Sequence, residues 1–258
     1  MGGRRRAEKA SKNVARTDWG TPLPVLECVR ECGPIGLDPC TNESSVVYAK
    51  AAYFKSPDVD TDRLDTEHAR KRALGRAQWK SAEDVLAVRG ALVQRAQTES
   101  LQVVEQVIPG DGLLDPWHTD RGSTYVNHPF SAEMVECWDG KKRRTNEAWA
   151  RRAAQQAPSC PNDIFVLTPA NPCSLWWKWY WDYASLICFW DGRLQFLGAE
   201  FTADFEVALV WFQGDDPLAE AGWRLVHASH VGAALAKRGR VVNARTAGYA
   251  GSRRKETP

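Results

Sequence analysis

The chain has 258 residues, 43% of them hydrophobic, which is enough for one globular domain with a real core and room for an insertion. Lys and Arg number 34 against 32 Asp and Glu, a net charge of +2, so a uniformly basic nucleic-acid coat is excluded and any DNA contact must come from local clusters. No apolar run approaches the ~20 residues of a membrane-spanning helix, and no apolar stretch follows the basic Met1-Gly2-Gly3-Arg4-Arg5-Arg6 as in a signal peptide, so a soluble cytoplasmic protein is expected.

Residues 1–17 are basic and polar, without apolar periodicity, and are expected to form a disordered tail. Order is expected from Trp19-Gly20-Thr21-Pro22 onward. Leu23 to Cys32 reads as a short helix stopped by Gly33-Pro34. Ile35-Gly36-Leu37 reads as a strand that gives way to a loop at Asp38-Pro39. Thr66 to Val107 lacks proline, is rich in Ala, Arg, Gln, Glu and Leu, and places Val85, Val88, Leu92 and Ala96 at helical spacing. It predicts one or two surface helices within an insertion spanning 55–108. They form either a layer on the sheet or a DNA-recognition element.

The second half alternates between element types. Ser123 to Val126 is a strand that runs straight into Asn127-His128-Pro129-Phe130. Ala132 to Gln156 reads as a helix broken near Asp139-Gly140. Asp163 to Leu167 is a buried strand ending at Thr168-Pro169, and Trp176 to Tyr183 reads as helical. Leu186 to Trp190 and Val207 to Phe212 are strands with no long helix between them and a turn at Asp191-Gly192-Arg193, so the last strand is expected to run antiparallel. The pattern predicts an α/β fold with a mostly parallel sheet and one antiparallel strand near its C-terminal end, a Rossmann-like layout over residues 18–213. Residues 214–258 read as a polar, partly disordered C-terminal extension.

The seven cysteines are odd in number and contain no Cys-x-x-Cys pair, which predicts reduced thiols and no metal site. Ligands in open α/β sheets bind outside the carboxyl ends of the strands. Two segments leave strands with polar sequences there, Leu37-Asp38-Pro39-Cys40 and Val126-Asn127-His128-Pro129-Phe130-Ser131. No Gly-x-Gly-x-x-Gly follows the first, so a dinucleotide fingerprint is absent. Locally, Asp38 reads equally as a turn residue or a ligand contact, and Asp111 as a turn cap or a contact. The run Lys141-Lys142-Arg143-Arg144, with Arg151-Arg152, is either a solvated face or a phosphate contact. Trp176, Trp177, Trp179 and Trp181 read as packing residues.

The segment Asn127-His128-Pro129-Phe130 resembles the (Asp/Asn)-Pro-Pro-(Tyr/Phe) motif of amino-methyltransferases. The exocyclic amine of adenine is a poor nucleophile because its lone pair is delocalised into the ring. It needs acceptors for its hydrogens and a flat surface for the base. Six segments in order resemble the phage-type DNA N-6-adenine methyltransferase (Dam-like) family: Trp19-Gly20-Thr21-Pro22, Leu37-Asp38-Pro39-Cys40, Asp111-Gly112-Leu113 with Trp117, Tyr125 to Ser131, Thr168-Pro169-Ala170 with Trp176-Trp177, and Gly192-Arg193-Leu194-Gln195-Phe196.

The resemblance implies S-adenosylmethionine as cofactor, with Trp19, Thr21, Pro22, Asp38, Pro39 and Asp111 around it. It implies an adenine extruded from DNA, whose amine hydrogens are accepted by the Asn127 side chain and the His128 carbonyl while Phe130 stacks on the base. Ser131 and Lys141 to Arg144 are then the DNA contacts, and a phage or prophage role in guarding DNA against restriction follows. His128 departs from the family's first proline and Phe130 from its tyrosine. The alternatives are another amino substrate, cytosine N4 or protein glutamine, and a DNA-binding relative whose His128 marks a disabled site. Oligomeric state has no sequence signal.

Overall fold

Ile164-Phe165-Val166-Leu167 and Val207-Ala208-Leu209-Val210-Trp211-Phe212 are apolar at every position, the pattern of strands covered on both faces. The computed structural model describes residues 20–41, 47, 49, 51–54, 106–117, 122–197, 199, 201–214 and 221–244, and in it these runs are adjacent strands of one eight-stranded sheet. Its strands are β1 (Ile35–Thr41), β2 (Ala51–Phe54), β3 (Gln106–Pro109), β4 (Ser123–Asn127), β7 (Ile164–Pro169), β8 (Leu186–Trp190), β9 (Val207–Phe212) and β10 (Gly239–Asn243), in the order β10-β8-β9-β7-β4-β1-β2-β3. A separate hairpin pairs β5 (Met134–Glu136) with β6 (Lys142–Arg144).

Strands β3, β2, β1, β4 and β7 pair in parallel. Strand β9 lies antiparallel between β7 and β8, and β10 is antiparallel to β8 at the edge. Six strands therefore point one way and two the other, an α/β arrangement compatible with a Rossmann-like fold.

Among the described residues four helices cover the sheet: α1 (Leu23–Cys32), α2 (Thr145–Gln156), α3 (Lys178–Tyr183) and α4 (Ala221–Ala236). Successive strand residues point to opposite faces, and the two cores divide accordingly. Phe165, Leu167, Leu209 and Trp211 pack with Val25, Leu26 and Val29 of α1 and Val231 and Leu235 of α4. Ile164, Val166, Ala208, Val210 and Phe212 pack with Ala148, Trp149 and Ala153 of α2 and Trp179 and Tyr180 of α3. The register of β1 on β4 shifts between Ile35 and Leu37, and those two residues, two apart in sequence, enter opposite cores.

Leu23–Cys32, Leu186–Trp190 and Val207–Phe212 form the elements expected, and Trp176 to Tyr183 is a 3-10 turn, Leu175–Trp177, leading into α3. Four expectations are corrected. Asp38-Pro39 is not a loop after a short strand: both residues lie inside β1, which goes on pairing with β2 as far as Thr41. Ala132 to Gln156 is not one helix. The Asp139-Gly140 sequence closes the β5–β6 hairpin, with Gly140 at φ 74° and the Gly140 N–H donating to the Cys137 carbonyl at 2.9 Å, and only Thr145 onward is helical. Gln106–Pro109 belongs to the sheet as β3, so the insertion stops short of 108; the helices expected earlier in it lie outside the described residues. Residues 221–244 are not a polar extension but helix α4 and edge strand β10. The expected tail 1–17 and the final residues 245–258 lie outside the described residues. Among the described residues no helix is long and apolar enough to cross a membrane, and all seven cysteines are free thiols.

Candidate active site

Strands β1 and β4 are parallel neighbours, so their carboxyl ends open on the same edge of the sheet. Asp38 is the fourth of the seven residues of β1, and it is buried. It accepts hydrogen bonds from the Cys40 backbone N–H at 3.2 Å, the Thr41 hydroxyl and the Cys40 thiol at 3.7 Å. Burial, with the Asp38 charge alongside, pushes the Cys40 thiol well above the usual range, and the backbone N–H of Asn127 reaches the same sulfur.

Thr21 reaches the site from the segment ahead of α1. That segment is pinned by Gly20 and Leu197, which exchange backbone hydrogen bonds of 3.1 and 2.9 Å. The buried Thr21 hydroxyl oxygen accepts from the Asn127 side-chain nitrogen at 3.0 Å and from the Tyr125 hydroxyl at 3.4 Å. An amide is planar, so holding Asn127 Nδ2 at Thr21 sets Oδ1 on the opposite edge as an acceptor. The sequence reading placed Thr21 near a cofactor. Its bond to Asn127 was not foreseen, because nothing in the sequence relates two residues 106 apart.

The His128 ring is buried rather than presented to solvent. It stacks on Trp149 of α2 with centroids 5.9 Å apart and planes 8° from parallel, and it meets Phe130 edge-on at 5.2 Å. Its Nδ1 lies 3.1 Å from the Pro129 carbonyl, which makes Nδ1 the protonated nitrogen of a neutral ring. Burial lowers the ring's pKa to about 4. Phe130 is half-buried, and its ring is propped edge-to-face by Phe196 at 5.6 Å and Phe205 at 5.8 Å, both from the connection between β8 and β9. Phe196 lies in a segment quoted for the resemblance; no sequence signal marked Phe205. Pro129 is exposed. Ser131 Oγ is 3.0 Å from Thr145 Oγ1, which ties the loop to the start of α2.

Asp111 follows β3 in a turn packed on the exit of β1. A Cβ on Gly112 would lie 2.2 Å from the Pro39 carbonyl oxygen. Asp111 Oδ1 accepts the Leu113 N–H at 2.9 Å, so it does cap the turn, and the fold also brings it to Asp38-Pro39. Three residues unmarked in the sequence as parts of this turn's support hold it. Asp115 Oδ2 accepts the Asp111 N–H at 2.6 Å, with burial raising its pKa to about 7. Arg152 of α2 donates to the carbonyls of Gly112, Leu114 and Asp115, and Trp117 Nε1 donates to the Gly112 carbonyl at 2.7 Å.

The basic run divides. Lys141, Lys142 and Arg144 are exposed on the hairpin. Arg143 is buried, and its two terminal nitrogens each donate to Asp139 at 2.7 Å, holding that carboxylate below its usual pKa range. Arg143 therefore braces the hairpin rather than facing solvent, contrary to its expected place among DNA contacts. Arg152 is likewise buried. Trp177 and Trp179 are core residues, in line with their reading as packing residues, and Trp19 lies outside the described residues. Among the described residues no cluster of His, Cys, Asp or Glu suits a metal ion. No family model matches the chain, and no curated protein matches its sequence.

Proposed function

We propose that the chain transfers a methyl group from S-adenosylmethionine to the N6 amine of an adenine swung out of DNA. The observation that carries this reading is the Asn127 amide. It is held through its nitrogen at the carboxyl end of β4, three residues ahead of Phe130, which sets its oxygen on the opposite edge of the planar amide. A buried carboxylate within β1, Asp38, and an acidic turn against Pro39 form the neighbouring wall. That set of acceptors suits a ligand bearing a positively charged amine and sulfur, so Thr21, Pro22, Asp38, Pro39 and Asp111 would hold the cofactor. The mostly parallel sheet, with antiparallel strands β9 and β10 late in the chain, supports the same class, because a mostly parallel sheet with an antiparallel strand near its end is the layout expected of Rossmann-like methyltransferases.

Bound S-adenosylmethionine supplies a methyl group on a positively charged sulfur. The Asn127 oxygen and the His128 backbone carbonyl accept the two amine hydrogens and draw the nitrogen lone pair out of conjugation. Phe130, braced by Phe196 and Phe205, holds the extruded base. The His128 ring is no base for the departing amine proton, since it is buried and its protonated nitrogen is engaged with Pro129. Exposed Lys141, Lys142 and Arg144 supply phosphate contacts near the site. A phage or prophage role in shielding DNA from restriction belongs to this reading and is supported by the family resemblance alone.

The test is incubation of the purified chain with DNA and labelled S-adenosylmethionine, followed by mass spectrometry of the nucleosides. N6-methyladenine is the expected product. N4-methylcytosine, or label in protein glutamine, would reassign the substrate, and cofactor-insensitive DNA binding without transfer would mean a disabled relative. Asn127→Ala is expected to lower transfer by ~100-fold or more, the scale of removing one pre-organised partner of a transition state, while cofactor affinity stays within about twofold.

A further inference from the structure

The β5–β6 hairpin begins four residues after Phe130, and its pairing sorts its side chains. Met134 pairs with Arg144, Val135 with Arg143, and Glu136 with Lys142. Directly opposed residues share a face and successive residues alternate. Val135 and Arg143 thus form the inner face, where Arg143 grips Asp139 and lies over the Trp138 ring. Met134, Arg144, Glu136 and Lys142 form the outer face. Met134 is 58% exposed although it is a large apolar residue on a two-stranded ribbon. Arg144 is the cation directly opposite Met134 in the register, and Lys142 lies opposite Glu136.

The base of this ribbon is fixed. The Thr145 N–H donates to the Glu133 carbonyl at 2.9 Å, and Thr145 Oγ1 holds Ser131 at 3.0 Å. Four residues of chain span at most ~14 Å, so Met134 lies within a few base-pair steps of any base resting on Phe130. Extruding a base leaves a gap in the stack, and apolar side chains of this kind fill such gaps or pry steps apart.

We propose that Met134 is the wedge of this protein. Inserted into the duplex where the target adenine has left, it keeps the stack closed behind the extruded base, with Arg144 on the adjoining phosphate. This rests on the DNA methyltransferase reading. Met134 is a positioning residue that acts on the extrusion equilibrium and touches no reacting atom, so its effect depends on whether the target base is stacked.

The experiment measures initial rates of label transfer from S-adenosylmethionine to one DNA sample, used both as duplex and heat-denatured, by the wild-type chain, Met134→Ala and Met134→Leu. Because Met134 is exposed, Met134→Ala is expected to melt like the wild type. Its kcat/KM should fall about tenfold or more on duplex, one decade for each ~1.4 kcal/mol of lost support to the extruded state, and stay within about twofold on single strands. Met134→Leu should restore the duplex rate. Equal duplex rates for Met134→Ala and wild type would overturn the proposal, as would equal losses on both forms of DNA. A wild-type chain that transfers no label to either form would instead remove the methyltransferase reading, and the wedge with it.

Discussion

At His128 the side chain and the backbone have separate tasks. The carbonyl lies in the loop proposed to receive the amine, whereas the ring is buried against Trp149 and turned to the Pro129 carbonyl. The buried ring has a pKa near 4 against an ordinary 6.5. Below pH 6.5 the unfolded chain therefore takes up a proton that the folded chain refuses. Stability is lost as pH falls from about 6.5 to 4, by up to ~3 kcal/mol. His128→Gln is expected to flatten that part of the stability–pH curve in denaturant titrations, and an unchanged slope would show that the ring is not shielded. The same residue scale shows what the sequence could not convey. That Asn127 to Phe130 lie at a strand end was legible because Ser123 to Val126 read as a strand, and their proposed role came from the resemblance. The partners that orient them, Thr21, Trp149, Phe196 and Phe205, come from three separate segments that only the fold assembles.

At the scale of elements, the turn from Asp111 to Asp115 is held from three sides, by Pro39, Arg152 and Trp117. Gly112→Ala would drive a methyl group into the Pro39 carbonyl, and overpacking of that kind costs about 1–3 kcal/mol. A lower melting temperature and weaker S-adenosylmethionine binding by calorimetry are expected; a variant that melts and binds like the wild type would contradict the packing. The hairpin illustrates a different failure of sequence reading. The helix-forming stretch around Ala148 to Ala154 was extended backward through Lys142-Arg143-Arg144, although Asp-Gly flanked by extended residues is a hairpin signal. The consequence was to treat four consecutive cations as one surface, where alternation buries Arg143 and exposes its neighbours. The apolar strands β8 and β9 had no such ambiguity, since long uninterrupted runs leave little choice of face.

For the molecule as a whole, α4 and β10 complete the core. Val231 and Leu235 are fully buried on the same side as Val25, Leu26 and Val29 of α1, and His227 Nε2 lies 2.6 Å from Asp163 Oδ2 at the start of β7. A chain ended after Gly214 uncovers that face, and it is expected to lose cooperative thermal unfolding in calorimetry; a sharp transition like that of the full chain would show α4 to be dispensable. The segment was misread because α4 mixes Ala, His and Gly with exposed Leu225 and Val226, and because β10 is an edge strand with no fully buried residue, so neither has a clean period.

Strand β9 has one more consequence, for how the chain is made. It is the next-to-last strand in sequence, yet it fills the slot between β7 and β8, and all six of its residues are buried. As the polypeptide emerges from the ribosome, β7 and β8 have no native pairing with each other. Each keeps an open edge until Val207 to Phe212 arrives, and bare strand edges are where chains pair wrongly with their neighbours. Nascent chains stalled before residue 207 are thus the species most in need of a chaperone.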